Sequence, residues 1–144
     1  MKAVIQRVIG ASVAVEKETV SSIKNGLLVY LGITGTDTER EAAKMAEKIA
    51  HLRIFDDENG VPNCSVLDVQ GKVLLVSQFT LYADASHGRR PSYIKAAPSE
   101  TAEPVYKAAL SEMRRYVPTE CGMFGAHMEI ASVNDGPFTI LLEI

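Results

Sequence analysis

An α+β fold, with a mainly antiparallel, barrel-like sheet and two amphipathic helices outside it, is what this sequence predicts. Three features point there. Short β-branched segments open the chain, apolar strand-like segments close it, and two stretches in between place apolar residues at helical spacing. With 144 residues, 47% of them hydrophobic and 23% charged, the chain is sized for one compact domain with a sizeable core. No internal repeat or linker divides it, so residues 1–144 read as a single domain.

Val4, Val8, Val13, Val15 and Val20 fall in segments broken by Gly10-Ala11-Ser12 and Lys17-Glu18, which predicts an opening hairpin. Lys24-Asn25-Gly26 follows as a turn. Gly26 to Ile33, with Leu27, Leu28, Val29 and Leu31, is nearly unbroken in apolar character; such a strand is buried on both faces and therefore central. Thr38-Glu39-Arg40-Glu41 has the spacing of a capping box, in which the threonine and the later glutamate each accept a bond from the other's backbone N–H. The helix it starts carries Ala42, Met45, Ala46, Ile49 and Leu52 on one face and Arg40, Lys44, Glu47 and Lys48 on the other. Asp56-Asp57-Glu58-Asn59-Gly60 reads as a plain loop, since it lacks the alternating ligands and distal glutamate of a calcium-binding EF-hand. Val73 to Val76 is a strand that runs directly into Ser77-Gln78-Phe79-Thr80-Leu81, where polar groups arrive at its end. A loop with Gly88, Pro91 and Pro98 leads to a second helix, from about Thr101 to Val117, with Val105, Ala109, Met113 and Tyr116 at helical spacing. Pro104 is expected in its first turn, where a missing N–H removes no helical bond. Met128 to Val133 and Phe138 to Ile144 are the final strands, separated by a turn at Asn134-Asp135-Gly136-Pro137.

Composition excludes several classes of function. The longest apolar stretches fall far short of the roughly 18 to 20 residues that cross a bilayer, so a soluble protein with no membrane partner is expected. The amino terminus lacks the basic segment, apolar block and small-residue site of an export signal, which points to the cytoplasm. Cys64 and Cys121 form no CxxC pair and have no nearby histidine, which fits reduced thiols, no metal and no cofactor. A formal net charge of −3 argues against indiscriminate nucleic-acid binding, yet leaves local basic patches at Arg89, Arg90 and Lys95 and at Arg114-Arg115. There is no P-loop, GxGxxG, HExxH or GxSxG, and His51, His87 and His127 are far apart; His51 and His127 read as structural.

Two segments remain. Ser77-Gln78-Phe79-Thr80-Leu81 supplies two hydroxyls, an amide and a bend in the backbone, a set able to position an ester carbonyl and a water; on spacing alone it reads first as a polar strand edge satisfying its own backbone groups. Asn134-Asp135-Gly136-Pro137 on spacing alone is a turn. Together, however, Ser77-Gln78-Phe79-Thr80-Leu81 and Asn134-Asp135-Gly136-Pro137-Phe138-Thr139 resemble the two signature motifs of the D-aminoacyl-tRNA deacylase family. Met1 to Val8, Gly88-Arg89-Arg90-Pro91-Ser92-Tyr93 and Phe124-Gly125-Ala126-His127-Met128 agree in the same order, so the resemblance spans essentially the whole chain. Phe138 departs from it, standing where the family's Gly-Pro pair is usually followed by valine.

The resemblance implies a homodimer in which each subunit inserts a loop with a cis Gly-Pro bond, here Gly136-Pro137, into its partner's site. It implies hydrolysis of the ester of D-aminoacyl-tRNA, and of glycyl-tRNA, with L-aminoacyl-tRNA rejected by that loop. Catalysis then falls to Ser77, Gln78, Phe79 and Thr80. Backbone N–H groups around Phe79 and Thr80 serve as an oxyanion hole, which suits an already activated ester attacked by water. Thr80 as a nucleophile is the other route, although no histidine or lysine stands beside it in sequence to take its proton. Gly136 and Pro137 bind substrate and select its handedness, Arg7 and Met128 support them, and aminoacyl-tRNA is the partner, with Arg89, Arg90 and Lys95 against its phosphates. Two rivals stand beside this reading. One is a noncatalytic module binding tRNA ends or amino acids; the other is a related editing enzyme that clears an L-amino acid, against which Ser77-Gln78-Phe79 argues.

Overall fold

The computed structural model describes all residues from Met1 to Ile144. Its opening strand β1 is continuous over Lys2–Val15, and a tight turn at Glu16 and Lys17, both with positive φ (52° and 69°), folds it onto β2, Glu18–Ile23. The predicted hairpin is present. Its break at Gly10-Ala11-Ser12 is not: that segment stays in the strand and only the register against a later strand slips, between Val8 and Gly10.

Strand β3, Gly26–Gly32, lies between β1 and β6, Lys72–Ser77, as its apolar run demands. Leu27, Val29 and Leu31 face the larger core while Leu28 faces the smaller one, so both faces of the sheet are covered there. Helix α1, Glu39–Ala50, starts at Thr38 with the capping box formed and buries Ala42, Met45, Ala46, Ile49 and Ala50. The acidic loop joins two short paired strands, β4 (Phe55–Asp56) and β5 (Pro62–Cys64), and Asp57 accepts bonds from the N–H groups of Asn59 and Val61, as a turn residue does.

After β6 come a short 3₁₀ turn, Phe79–Tyr82, helix α2, Ser99–Tyr116, strand β7, Thr119–Cys121, and strand β8, Glu129–Glu143. Pro104 lies deeper in α2 than expected. The helix starts at Ser99, so Pro104 is its sixth residue; the carbonyl that loses its donor belongs to Glu100, which is solvent-exposed.

The two helices flank a nearly closed, barrel-like sheet, and this sheet is mixed rather than mainly antiparallel. Strand β1 pairs antiparallel with β2, β3 and β8, but β3 with β6 and β6 with β7 are parallel. The reason is connectivity: α1 lies in the crossover from β3 to β6, and α2 in that from β6 to β7, so each next strand re-enters in the same direction. Between helices and sheet sits a core of 23 buried residues, with a smaller cluster of seven on the opposite face. No helix is long and apolar enough to cross a membrane.

The closing segment also differs from expectation. Asn134-Asp135-Gly136-Pro137 does not separate two strands by reversing the chain; residues on both sides pair with the same strand β1. Val8 opposes Asn134 and Gln6 opposes Thr139, so two steps along β1 face five along β8. The three surplus residues arch off the sheet as a wide bulge.

Candidate active site

Strand β6 is buried from Val73 to Val76 and becomes half-buried at Ser77, where polar side chains begin. The Gln78 N–H donates to the Leu31 carbonyl at 2.8 Å, the last tie to β3 before the chain coils into the 3₁₀ turn. That turn sits directly on β3 because residue 32 is glycine: a Cβ there would lie 2.9 Å from Leu81 Cβ and 3.1 Å from the Gln78 carbonyl oxygen. Gln78 Nε2 donates to Thr80 Oγ1 at 2.5 Å, orienting both side chains. The first N–H groups of such a turn, here those of Phe79 and Thr80, have no acceptor inside it.

Ser77, Gln78 and Phe79 open on a cavity of about 680 Å³, within the range of small-ligand sites. Met128 and Phe124 form the opposite wall, and Tyr93 to Pro98 contributes a third. The site is assembled from behind by Tyr106 on α2, whose hydroxyl donates to the Leu75 carbonyl at 2.8 Å and whose ring lies 5.6 Å from that of Phe124. Burial pushes the Tyr106 hydroxyl above its ordinary range, so it remains a neutral donor. Phe79 meets Tyr93 edge to face at 5.1 Å, joining two walls at the mouth. No carboxylate lines this space, and no group of three or more His, Cys, Asp or Glu side chains is placed to hold a metal. What the cavity offers a ligand is apolar surface with a few polar side chains, Ser77, Gln78 and His127 among them.

Thr80 is not among the lining residues; it touches the site through Gln78. Gly136 and Pro137 lie elsewhere, exposed on the arch and outside this cavity. The peptide bond between them is cis, and Gly136 has φ +125°. Asn134 closes the arch, its Oδ1 accepting from the Phe138 N–H and its Nδ2 donating to Thr139 Oγ1, both at 3.0 Å.

Arg7, only 8% exposed, supports the arch from below. Its Nε lies 3.1 Å from an Asp135 carboxylate oxygen and donates to the Asp135 carbonyl at 3.3 Å, while Nη1 donates to the Ile54 carbonyl at 2.9 Å and to Asp56 at 3.3 Å. The guanidinium also lies 5.0 Å from the centroid of the Phe138 ring, a cation–π contact that valine would not make. The chain thus brings Ser77, Gln78, Phe79 and Met128 to a single cavity, with Thr80 alongside, and holds Gly136, Pro137 and Arg7 together at a separate place.

Two parts of the lining escaped the sequence reading. His127, read there as structural, is exposed on the cavity wall. The Tyr93–Pro98 segment is the other; its signal was the apolar content of Ile94, Ala96 and Ala97 in a stretch otherwise typical of a loop. The remaining polar features are structural: Cys64 and Cys121 are free thiols, and His51 caps α1 with Nδ1 2.9 Å from the Glu47 carbonyl.

A nearly closed mixed sheet backed by two helices, with a cavity at the strand-to-turn junction of β6, is a fold already seen in solved structures. The structure titled "Structural Analysis of a probable eukaryotic D-amino acid tRNA deacylase" superimposes with a TM-score of 0.88 at 16% identity, covering 99% of this chain and 98% of the other, which establishes the shared fold. One titled "c-Myc DNA Unwinding Element Binding Protein" does so with a TM-score of 0.95 at 45% identity, covering 100% of this chain and 99% of that one. The family described as "D-Tyr-tRNA(Tyr) deacylase" matches residues 4–143, and the chain belongs to that family. Among its relatives, the D-aminoacyl-tRNA deacylase of Thermosipho africanus is 52% identical over 99% of this chain and 97% of its own length, and that of Roseiflexus sp. is 55% identical over 99% and 93%.

Proposed function

We infer that this chain is a D-aminoacyl-tRNA deacylase, an ester hydrolase acting on aminoacyl-tRNA in translation quality control, and that it works in the cytoplasm. The observation that carries the chemistry is the 3₁₀ turn on the cavity wall, whose leading N–H groups are free at Phe79 and Thr80. The aminoacyl-adenosine end of the tRNA enters the cavity. Water attacks the ester carbonyl carbon, and the carbonyl oxygen gathers negative charge in the tetrahedral intermediate. The two N–H groups bind that charge, a device worth about 2.7–4 kcal/mol per donor. Ser77 and Gln78 hold the turn in place, and Met128 shapes the opposite wall. Collapse of the intermediate expels the ribose oxygen, which takes up a proton, leaving free tRNA and a free amino acid. An aminoacyl ester is an activated acyl group, so the scarcity of strong acids and bases in the lining is no obstacle.

Handedness is read by the arch of a second copy in a homodimer. Gly136 and Pro137 insert into the partner's cavity, and their main-chain carbonyls accept hydrogen bonds from the substrate's α-ammonium group. With the ammonium held there, a D side chain points to open space and an L side chain meets the wedge; glycine, with nothing to collide, passes. Support comes from their exposure on their own protomer, outside its cavity, and from the firm brace that Arg7 supplies. A thousandfold preference corresponds to about 4 kcal/mol, within the reach of one rigid steric clash.

The test is deacylation of matched D-, L- and glycyl-tRNA by the purified protein. Rapid release from the D- and glycyl-tRNA and none from the L-form is expected. Binding without turnover would favour the noncatalytic module, and preferential clearance of the L-form would favour the editing enzyme of opposite selectivity.

A further inference from the structure

At the cavity mouth, Tyr93 to Ala96 form a tight turn closed by the Ala96 N–H on the Tyr93 carbonyl at 3.0 Å, and its tip is Ile94, 93% exposed. A bare β-branched side chain is an unfavourable choice for such a position, which polar and small residues usually occupy. The tip is also rigidly mounted. Thr34 Oγ1 donates to the Lys95 carbonyl at 2.6 Å, Thr34 bridges Ala96, and the Ala97 N–H donates to the Ile33 carbonyl at 2.9 Å. Thr34 is held in turn by its own N–H on Asp37 Oδ2 at 2.8 Å. An apolar group so firmly presented to water is suited to a contact made without ordering cost.

The surroundings specify what that contact is. Phe79, 56% exposed, and Tyr93, 43% exposed, form an aromatic pair beside the tip. The excursion of the chain just before this turn, whose base is tied by paired bonds between Asp84 and Ser92, carries Arg89 and Arg90, both exposed and neither in an ion pair. Lys95 differs: its Nζ lies 3.6 Å from Asp84, so part of its charge is already answered. Apolar and aromatic faces interleaved with free guanidinium groups suit unpaired nucleotides, whose bases stack while their phosphates are neutralised.

We propose that the Ile94 tip, with Tyr93, Arg89 and Arg90, is a platform for the unpaired nucleotides that precede the terminal adenosine of the substrate. The proposal rests on the deacylase reading and extends the binding surface outward from the mouth of the cavity that receives the ester, where Tyr93 and Ile94 form part of the wall. In it, Ile94 packs on the face of the base next to the adenosine, and the arginines meet the phosphates that follow. The surface anchors the strand and leaves the ester chemistry to the turn at Phe79.

The experiment compares hydrolysis of one D-aminoacyl group carried on full-length tRNA and on adenosine alone, by wild type, Ile94→Ser and Ile94→Phe. Loss of one base contact predicts that Ile94→Ser raises KM for the tRNA about five-fold more than KM for the adenosine ester, with Ile94→Phe restoring the wild-type ratio. Equal changes on both substrates, or none on either, overturn the platform. Sedimentation of Ile94→Ser is measured in parallel: a halved mass relative to wild type would show that the tip seats a second copy of the chain, and would also overturn it. If wild type hydrolyses neither ester, the deacylase reading itself fails and the platform with it; if wild type hydrolyses both and the variants change nothing, only the platform fails.

Discussion

The turn at Ser77–Thr80 and the arch at Asn134–Phe138 are both places where a strand is interrupted, yet they are built in opposite ways. The turn ends a strand buried on both faces, is seated on Gly32 and lines a cavity. The arch interrupts a strand that continues beyond it, projects to solvent, and is held by one buried arginine and one asparagine. The first borders a cavity and carries main-chain N–H groups that have no acceptor inside the turn. The second is braced and exposed, and lines no part of that cavity.

The sharpest way to break this division is to lift the turn. In Gly32→Ala the new Cβ would overlap Leu81 Cβ and crowd the Gln78 carbonyl, so the turn must move. Displacing one oxyanion donor predicts a loss of kcat of about a hundredfold on D-aminoacyl-tRNA, with the D/L ratio among remaining turnovers preserved. Gly136→Ala probes the other region. Its Cβ would lie 3.1 Å from the Phe138 N and 3.4 Å from Arg7 Nη2, in a backbone conformation that favours glycine. Here the D/L ratio should fall about tenfold, roughly 1.4 kcal/mol of lost exclusion, with kcat on the D-substrate changed much less. A result in which both variants altered the same parameter would dissolve the distinction.

Smaller effects sharpen it further. Thr80→Ala keeps the main-chain N–H and removes only a hydroxyl that accepts from Gln78, so kcat should fall less than about threefold; trapping an acyl-Thr80 intermediate would instead make Thr80 the nucleophile. The mildest effect concerns acid. Glu41, hydrogen-bonded by Thr38, Asp68, hydrogen-bonded by Ser65, and Asp84, hydrogen-bonded by Ser86, all have carboxyls held below their ordinary range. A depressed pKa means that the unfolded chain binds protons first as pH drops. Their stabilisation is therefore complete above the ordinary carboxylate range and fades as pH falls through the depressed values. Thermal melts should show a flat Tm near neutrality and a decline only on the acid side; a Tm that rose on acidification would contradict these hydrogen bonds.

How much of this could be read in advance depended on how local the cause was. The capping box at Thr38 and Glu41, the helical face of Ala42 to Ile49, and the two-sided burial of β3 follow from neighbours in sequence, and each is present. The parallel pairings of β6 were not legible, because which strand lies beside which is settled by the packing of α1 and α2. Nor was the arch legible as a bulge: Asn134-Asp135-Gly136-Pro137 has the composition of a turn, and only the shared partner β1 keeps the chain from reversing. The same holds at the cavity. Ser77 to Thr80 stood out as polar residues at a strand end, whereas the wall from Tyr93 to Pro98 depends on anchors at Ile33 and Thr34 some sixty residues away, of which Thr34 to Lys95 has a separation of 61.

Strand β1 touches both regions. Lys2 lies opposite Gly32, the seat of the turn, and Arg7 lies beneath the arch. Arg7 lies five steps along the extended chain from Lys2, a span of roughly 17 Å at the usual rise of a strand. The strand is thus a ruler built into the chain. It keeps the turn and the arch of one chain at a fixed offset, so side-chain motion alone does not bring Gly136 and Pro137 to the cavity beside Ser77.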